Sequence, residues 1–139
     1  MTDRPDRTDR VEIVGIDHVQ VLMPTGGDKA ARRFYGELLG LREIAKPAEL
    51  APGGGCWFVG AGGTAIHVSV DQRFLAARKA HPALIVADLG AARRALEAGG
   101  VRVSDDSSGL AVRRCYVEDP FGNRIELVEA GDAGFTDRG

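Results

Sequence analysis

Arg113-Arg114-Cys115-Tyr116-Val117-Glu118-Asp119-Pro120-Phe121-Gly122-Asn123-Arg124-Ile125-Glu126-Leu127-Val128 decides how this chain is read. It has the form of a hairpin: a strand, a turn of Asp, Pro, Gly and Asn, and a second strand. In the second strand Glu126 stands between Ile125 and Leu127. Alternation turns those two apolar side chains to one face and Glu126 to the other, with Arg124 and Val128. A carboxylate so placed either meets solvent or has a partner, because an unpaired buried charge costs several kcal/mol, on the order of 5.

The hairpin has an earlier counterpart. Cys56-Trp57-Phe58-Val59, Gly62-Gly63 and Ile66-His67-Val68 run in the same order, and Cys56 to His67 spans the same 11 positions as Cys115 to Glu126. Gly63 and Gly122 match at that offset, as do Ile66 and Ile125. His67 and Glu126 are therefore equivalent positions of a duplicated unit. Further out, Ala31-Arg32-Arg33 matches Ala92-Arg93-Arg94 on two helical stretches, and His18 matches His81 at the start of the first strand of each half. Each half reads β-α-β-β-β. A single such sheet cannot cover both of its faces, so the halves should pack together. The expected fold is α+β, two βαβββ modules paired into a concave mixed sheet.

The 139 residues suit one domain with a substantial core. A net charge of −2 gives no general attraction to nucleic acid or to anionic membranes. No run is apolar enough to span a bilayer, and the charged first ten residues lack the apolar stretch of a secretory signal. Cys56 and Cys115 read as two buried thiols of a cytoplasmic protein rather than a disulfide framework.

Residues 1–10 read as a disordered tail, 11–130 as the single domain and 131–139 as a frayed C-terminal tail. Within the domain the first module covers 15–70, the linker 71–80 and the second module 81–130. The first strand is expected over Gly15 to Met23, followed by a helix capped by Asp28, ending near Leu39 and closed by Gly40. Arg42 to Ala45 is a short strand, and Lys46 to Gly55 a loop of the kind that connects elements or covers a site. In the second module the expected order is a strand His81–Ala87, Asp88 as N-cap of helix Leu89–Ala98, Gly99-Gly100 as terminator and a strand Val101–Ser104.

His18, His67 and His81 are all the histidines of the chain. With Glu126 they form two pairs of repeat-equivalent positions, which converge if both lie near the local twofold axis. Imidazole nitrogens with one carboxylate suit Zn, Ni, Fe, Mn or Co rather than Ca or Mg. Each residue also has a plainer reading: a strand histidine is commonly a satisfied core or edge residue, and Glu126 can be a solvated side chain or the ion-pair partner of Arg124. The joint pattern of type and symmetry favours a divalent metal site.

Ile16-Asp17-His18-Val19, Phe34-Tyr35-Gly36-Glu37-Leu38-Leu39-Gly40-Leu41, Ala80-His81-Pro82-Ala83 and Asp119-Pro120-Phe121-Gly122-Asn123-Arg124-Ile125-Glu126 together resemble the vicinal oxygen chelate superfamily. That superfamily holds glyoxalase I, fosfomycin-resistance thiol transferases, extradiol dioxygenases and bleomycin-resistance proteins. The resemblance spans about Gly15 to Glu129. It implies metal ligation at His18, His81 and Glu126, and puts His67 where glyoxalase I carries its other glutamate. The departure leaves Glu126 as the one carboxylate and transfers proton shuttling to Glu126 or His67, provided His67 is not itself a ligand.

The function this implies is a glyoxalase-like metal-dependent lyase, isomerase or thiol transferase, acting on a small oxygenated substrate through bidentate chelation. Two alternatives stand beside it: an Fe(II) extradiol dioxygenase, and a bleomycin-resistance-like protein that binds a drug or metabolite without catalysis. Gln20, Trp57, Arg114 and Tyr116 are pocket candidates. Arg113 alternates with Arg114, so at most one of the two points inward. The exposed sheet edges of such a fold, and the habit of relatives of this length, imply a homodimer.

Overall fold

A computed structural model describes residues 10–132. The tail readings for residues 1–9 and 133–139 lie outside the described residues. The first module contains β1 (Val19–Met23), a helix that begins as α1 (Asp28–Ala31), β2 (Arg42–Ile44), β3 (Cys56–Val59) and β4 (Ala65–Val70). The second contains β5 (Ala83–Val86), α2 (Leu89–Ala98), β6 (Val103–Asp105), β7 (Arg114–Glu118) and β8 (Arg124–Glu129). Each module makes a four-stranded mixed sheet of its own, ordered β1-β4-β3-β2 and β5-β8-β7-β6. In both, the first strand lies parallel to the last and the other pairs are antiparallel. The fold is α+β, as the repeat implies.

The repeat holds down to individual cross-strand partners. Trp57 faces His67 and Tyr116 faces Glu126; Cys56 faces Val68 and Cys115 faces Leu127. On the parallel side Gln20 faces His67 and Ala83 faces Glu126.

Two local expectations need correction. β1 starts at Val19 rather than Gly15, and Ile16 is 82% exposed. Residues 15–18 alternate as a strand would, but the parallel partner first engages at Val19 opposite Ile66, so earlier residues have no ladder to join. Asp28 is not the N-cap of the first helix. Gly27 holds that place, and the Asp28 carboxylate instead accepts the Gly55 amide at 3.2 Å, tying the 46–55 loop to the helix. Beyond Ala31 the helix widens into π-type turns over Arg32–Leu38, with the Leu39 amide reaching back to the Phe34 carbonyl at 2.9 Å. In the second module Asp88 does cap α2, accepting the Ala91 amide at 3.0 Å.

The module interiors fuse into one apolar cluster, with Met23, Phe34, Tyr35, Phe58 and Ile66 from the first half and Leu96, Cys115, Val117, Ile125 and Leu127 from the second. Both cysteines are buried free thiols, and burial pushes Cys56 up to about 11. The seam between modules is polar as well as apolar. Tyr35 donates its hydroxyl to buried Asp119 at 2.6 Å, and Asp119 also accepts from the Phe121 and Asn123 amides and the Asn123 side chain. Asn123 in turn donates to the Leu22 carbonyl at 2.7 Å and accepts the Ala77 amide at 2.9 Å. The turn that decided the sequence reading is thus the joint that fastens the second half, and the linker, to the first. Gly122 takes the positive φ of +89° that this turn needs. Phe74 of the linker packs edge-to-face on Phe121.

Candidate functional site

Alternation on β8 buries Ile125 and Leu127 in the core and turns Glu126 to the opposite face, so the strand argument holds. Glu126 is 5% exposed. Its Oε1 lies 3.0 Å from His81 Nε2, and its Oε2 3.6 Å from an Arg114 guanidinium nitrogen. The ion-pair partner is Arg114, not Arg124. His81 Nδ1 sits 2.7 Å from the Lys79 carbonyl and donates to it, so Nε2 is the nitrogen that faces Glu126.

Arg114 is itself held in place. Its Nε donates to Asp106 at 2.9 Å, and the Asp106 carboxyl is drawn down to about 2, first by that hydrogen bond and then by the Ser108 amide and hydroxyl. Sequence reasoning named Arg114 as a pocket residue but missed Asp106. The signal lies in the register: with Asp105, the last residue of β6, opposite Cys115, the residue that follows it comes beside Arg114.

The equivalent face of the first sheet is built from rings. Trp57 stacks on His67 with centroids 3.9 Å apart and planes 5° from parallel. His18 stacks near His67, also at 3.9 Å, inclined by 16°. Burial is the main cause that lowers the His67 pKa, with the nearby His18 adding to it, so His67 is neutral at neutral pH. His18 is exposed, and its Nδ1 is 2.7 Å from the Asp17 carboxylate. Gln20, the cross-strand neighbour of His67, accepts the Ser69 hydroxyl at 3.0 Å.

The structure therefore brings the four expected ligands together as two pairs, His18 with His67 and His81 with Glu126, on separate sheets. Convergence of all four within one chain does not occur: among the described residues no three His, Cys, Asp or Glu side chains are grouped to hold an ion. The two pairs differ in how well they suit a metal. Two ligands at right angles around an ion, each about 2.1 Å away, stand about 3.0 Å apart. His81 and Glu126 have that separation. A metal lies in the plane of each imidazole that binds it, so two parallel stacked rings cannot share one ion. The stacked His18 and His67 rings therefore do not suit a shared ion as they stand.

The comparisons with known proteins bear on the family and the fold. A family model described as a glyoxalase-like domain matches residues 20–128. The chain belongs to the glyoxalase-like family. A protein from Bacillus anthracis described as of the glyoxalase family is 49% identical, with a TM-score of 0.81 over 86% of this chain and 98% of that one. More distant glyoxalase-like folds share the architecture alone. The fosfomycin resistance protein FosX from Listeria monocytogenes is 17% identical (TM-score 0.69, 84% of this chain, 91% of that). TnmS3, an antibiotic binding protein from Streptomyces sp. CB03234, is 23% identical (TM-score 0.64, 84% of this chain, 98% of that). No curated protein matches the sequence. No helix among the described residues is long and apolar enough to cross a membrane.

Proposed function

We propose that this glyoxalase-like chain is a metal-dependent lyase, isomerase or thiol transferase for a small oxygenated substrate. Its centre would be assembled from His18 and His67 of one subunit and His81 and Glu126 of a second. The observation that carries the reading is the 3.0 Å approach of His81 Nε2 to a buried carboxylate oxygen, the spacing of neighbouring metal ligands. Zn, Ni, Fe, Mn or Co suit two to three imidazoles and one carboxylate. When bound, such an ion supplies Lewis acidity to two adjacent substrate oxygens.

The protein's own residues supply the rest. Arg114, fixed by Asp106, holds Glu126 in position and offsets its charge. The His81 ring is oriented by the Lys79 carbonyl, a second contact that fixes which nitrogen faces the centre. Glu126 is the first proton-handling candidate, and His67, kept neutral by burial, is a second only if it does not bind the metal. Trp57 and Tyr116, the cross-strand partners of His67 and Glu126, are the aromatic residues beside the centre.

Assembly across a twofold dimer is supported by what one chain leaves uncovered. Val11, Ile13, Val14 and Ile16, just ahead of β1, are 82–94% exposed, and Ile85 on β5 is 57% exposed. β1 and β5 are also edge strands of their sheets, as are β2 and β6 at the opposite sides. Unpaired edges flanked by apolar side chains are surfaces that proteins cover.

A second reading has its own observation. The Trp57–His67–His18 ring stack forms an aromatic shelf that suits a flat, apolar molecule, which fits a drug- or metabolite-binding protein without catalysis. An Fe(II) extradiol dioxygenase ranks below both, since a fourth protein ligand at His67 would crowd the positions oxygen and substrate need. Metal analysis of the purified protein separates the readings. About one transition-metal ion per chain in wild type, lost in Glu126→Ala, supports the enzyme; equal and negligible content in both leaves the binding protein. Catechol cleavage with an oxygen-sensitive iron would select the dioxygenase. A mass near 14.7 kDa in light scattering at micromolar concentration would contradict the shared centre.

A further inference from the structure

Beyond Glu126 the face of the second sheet continues to Arg124, two residues back on the same side of β8 and therefore about 6.6 Å along the strand. The Arg124 guanidinium lies over the Tyr116 ring, its central carbon 3.9 Å from the ring centroid. It makes no ion pair among the described residues, although Glu118 is its cross-strand neighbour. The Arg124 amide donates to the Ala77 carbonyl at 2.8 Å, which brings the linker, and with it Arg78, alongside. Arg78, Arg102, Arg124 and Glu118 all line one cavity of about 1120 Å³ whose wall also includes Tyr116 and Arg114.

The other acids and bases of this cavity are occupied. Arg33 contacts Glu37 and the Gly99 carbonyl, and Arg114 holds Asp106 and Glu126. Asp105 is paired with Arg93, and Asp119 is consumed by the seam. Three arginines, 78, 102 and 124, thus face one glutamate without an ion pair among the described residues. Its place over Tyr116 orients the Arg124 fork without neutralising it, so its N–H donors stay available for a planar or tetrahedral oxyanion.

We propose that Arg124, supported by Arg78, is an anion subsite next to the His81–Glu126 pair, and that it receives a carboxylate, phosphate or phosphonate group of the ligand. The placement narrows the substrate class to molecules that carry such a group a short distance from their chelating oxygens. That last step rests on the metal reading above; the anion subsite itself does not.

The test is a titration of the EDTA-treated protein with inorganic phosphate and with malonate at constant ionic strength, followed by the backbone amide signals of residue 124 and its neighbours in nitrogen–proton NMR spectra, with the Arg124 Nε–H signal as a second probe in the wild type. Saturable shifts at Arg124, weakened about tenfold or more in Arg124→Gln and only partly restored in Arg124→Lys, are expected. Among the described residues the Arg124 side chain makes no hydrogen bond, so Arg124→Gln should keep the wild-type spectrum elsewhere. Linear, unsaturable shifts, or equal affinity in wild type and Arg124→Gln, would overturn the subsite. Repeating the titration with Zn present separates the two claims. Anion binding without any metal uptake leaves the subsite standing and removes the metal centre; metal uptake without anion binding does the reverse.

Discussion

The two modules share a fold to the register of single residues, yet they present opposite chemistry at equivalent places. On the first sheet Trp57 faces His67 and the three rings of Trp57, His67 and His18 stack in a row. On the second sheet Tyr116 faces Glu126, and the neighbours are His81, Arg114 and Arg124. Duplication has preserved the scaffold that aims the side chains, while one face has become aromatic and near neutral and the other ionic. Neither face alone has the donors for a metal centre. Together they have three imidazoles, one carboxylate and its arginine. The same asymmetry holds at the hairpin turns. In the first module it is Gly60-Ala61-Gly62-Gly63, with a positive φ at Gly62 and Gly63; in the second it is a buried hydrogen-bonded network centred on Asp119.

That contrast can be broken at the turns first. Asp119→Ala would strand the Tyr35 hydroxyl and the Asn123 side chain in the core, and should cost roughly 3–5 kcal/mol in urea unfolding. A substitution at exposed Ala61 of the other turn should cost little, within about 0.5 kcal/mol. Similar losses at both turns would mean that Asp119 does not fasten the modules.

Next come the faces themselves. Glu126→Ala removes the one negative ligand and should weaken metal binding more than His67→Ala does, with activity lost in both if His67 also moves the proton. Metal analysis paired with turnover distinguishes the roles of His67: metal kept but turnover lost makes it a base, metal lost makes it a ligand.

Smaller effects separate the faces by pH. Asp106 is held well below the ordinary carboxyl value by Arg114, so its contribution to stability is full above about pH 4 and is lost as pH falls toward about 2. Asp106→Asn should flatten that part of the acid-unfolding curve. His67 is lowered instead, so the unfolded chain takes up its proton first and the metal-free protein should lose stability as pH falls below about 6.5. His67→Gln should remove that shallow slope, the smallest change of the set, and an unaltered slope would show that the burial of His67 has no energetic consequence.

Much of this was legible in the chain because the repeat is written in spacing. The equal intervals from Cys56 to His67 and from Cys115 to Glu126 survive as equal cross-strand registers, and Asp88 and Gly40 mark helix ends where they were expected to. What local pattern could not report is whether a neighbour exists. Ile16 and His18 alternate like strand residues, but no strand lies beside them, and the ladder waits until Val19. Asp28 has the chemistry of a cap and spends its carboxylate on Gly55 across the loop instead. Asp106 sits in a polar stretch with no periodicity, so its grip on Arg114 follows only once the β6–β7 register is fixed. Symmetry matched His18 with His81 and His67 with Glu126, whereas the contacts run within each half, His18 to His67 and His81 to Glu126, and the two contacts stay on separate sheets of one chain.

The central claim is that these unlike faces meet between two subunits. It is tested by isolating a mixed dimer, through two different affinity tags, from a His18→Ala/His67→Ala chain and a His81→Ala/Glu126→Ala chain. Each altered chain alone should bind almost no metal. In the mixed dimer the intact first face of one subunit meets the intact second face of the other, and about one transition-metal ion per dimer should reappear. A mixed dimer as empty as its parents, beside a wild type that holds metal, would contradict the shared centre and place any metal within a single chain.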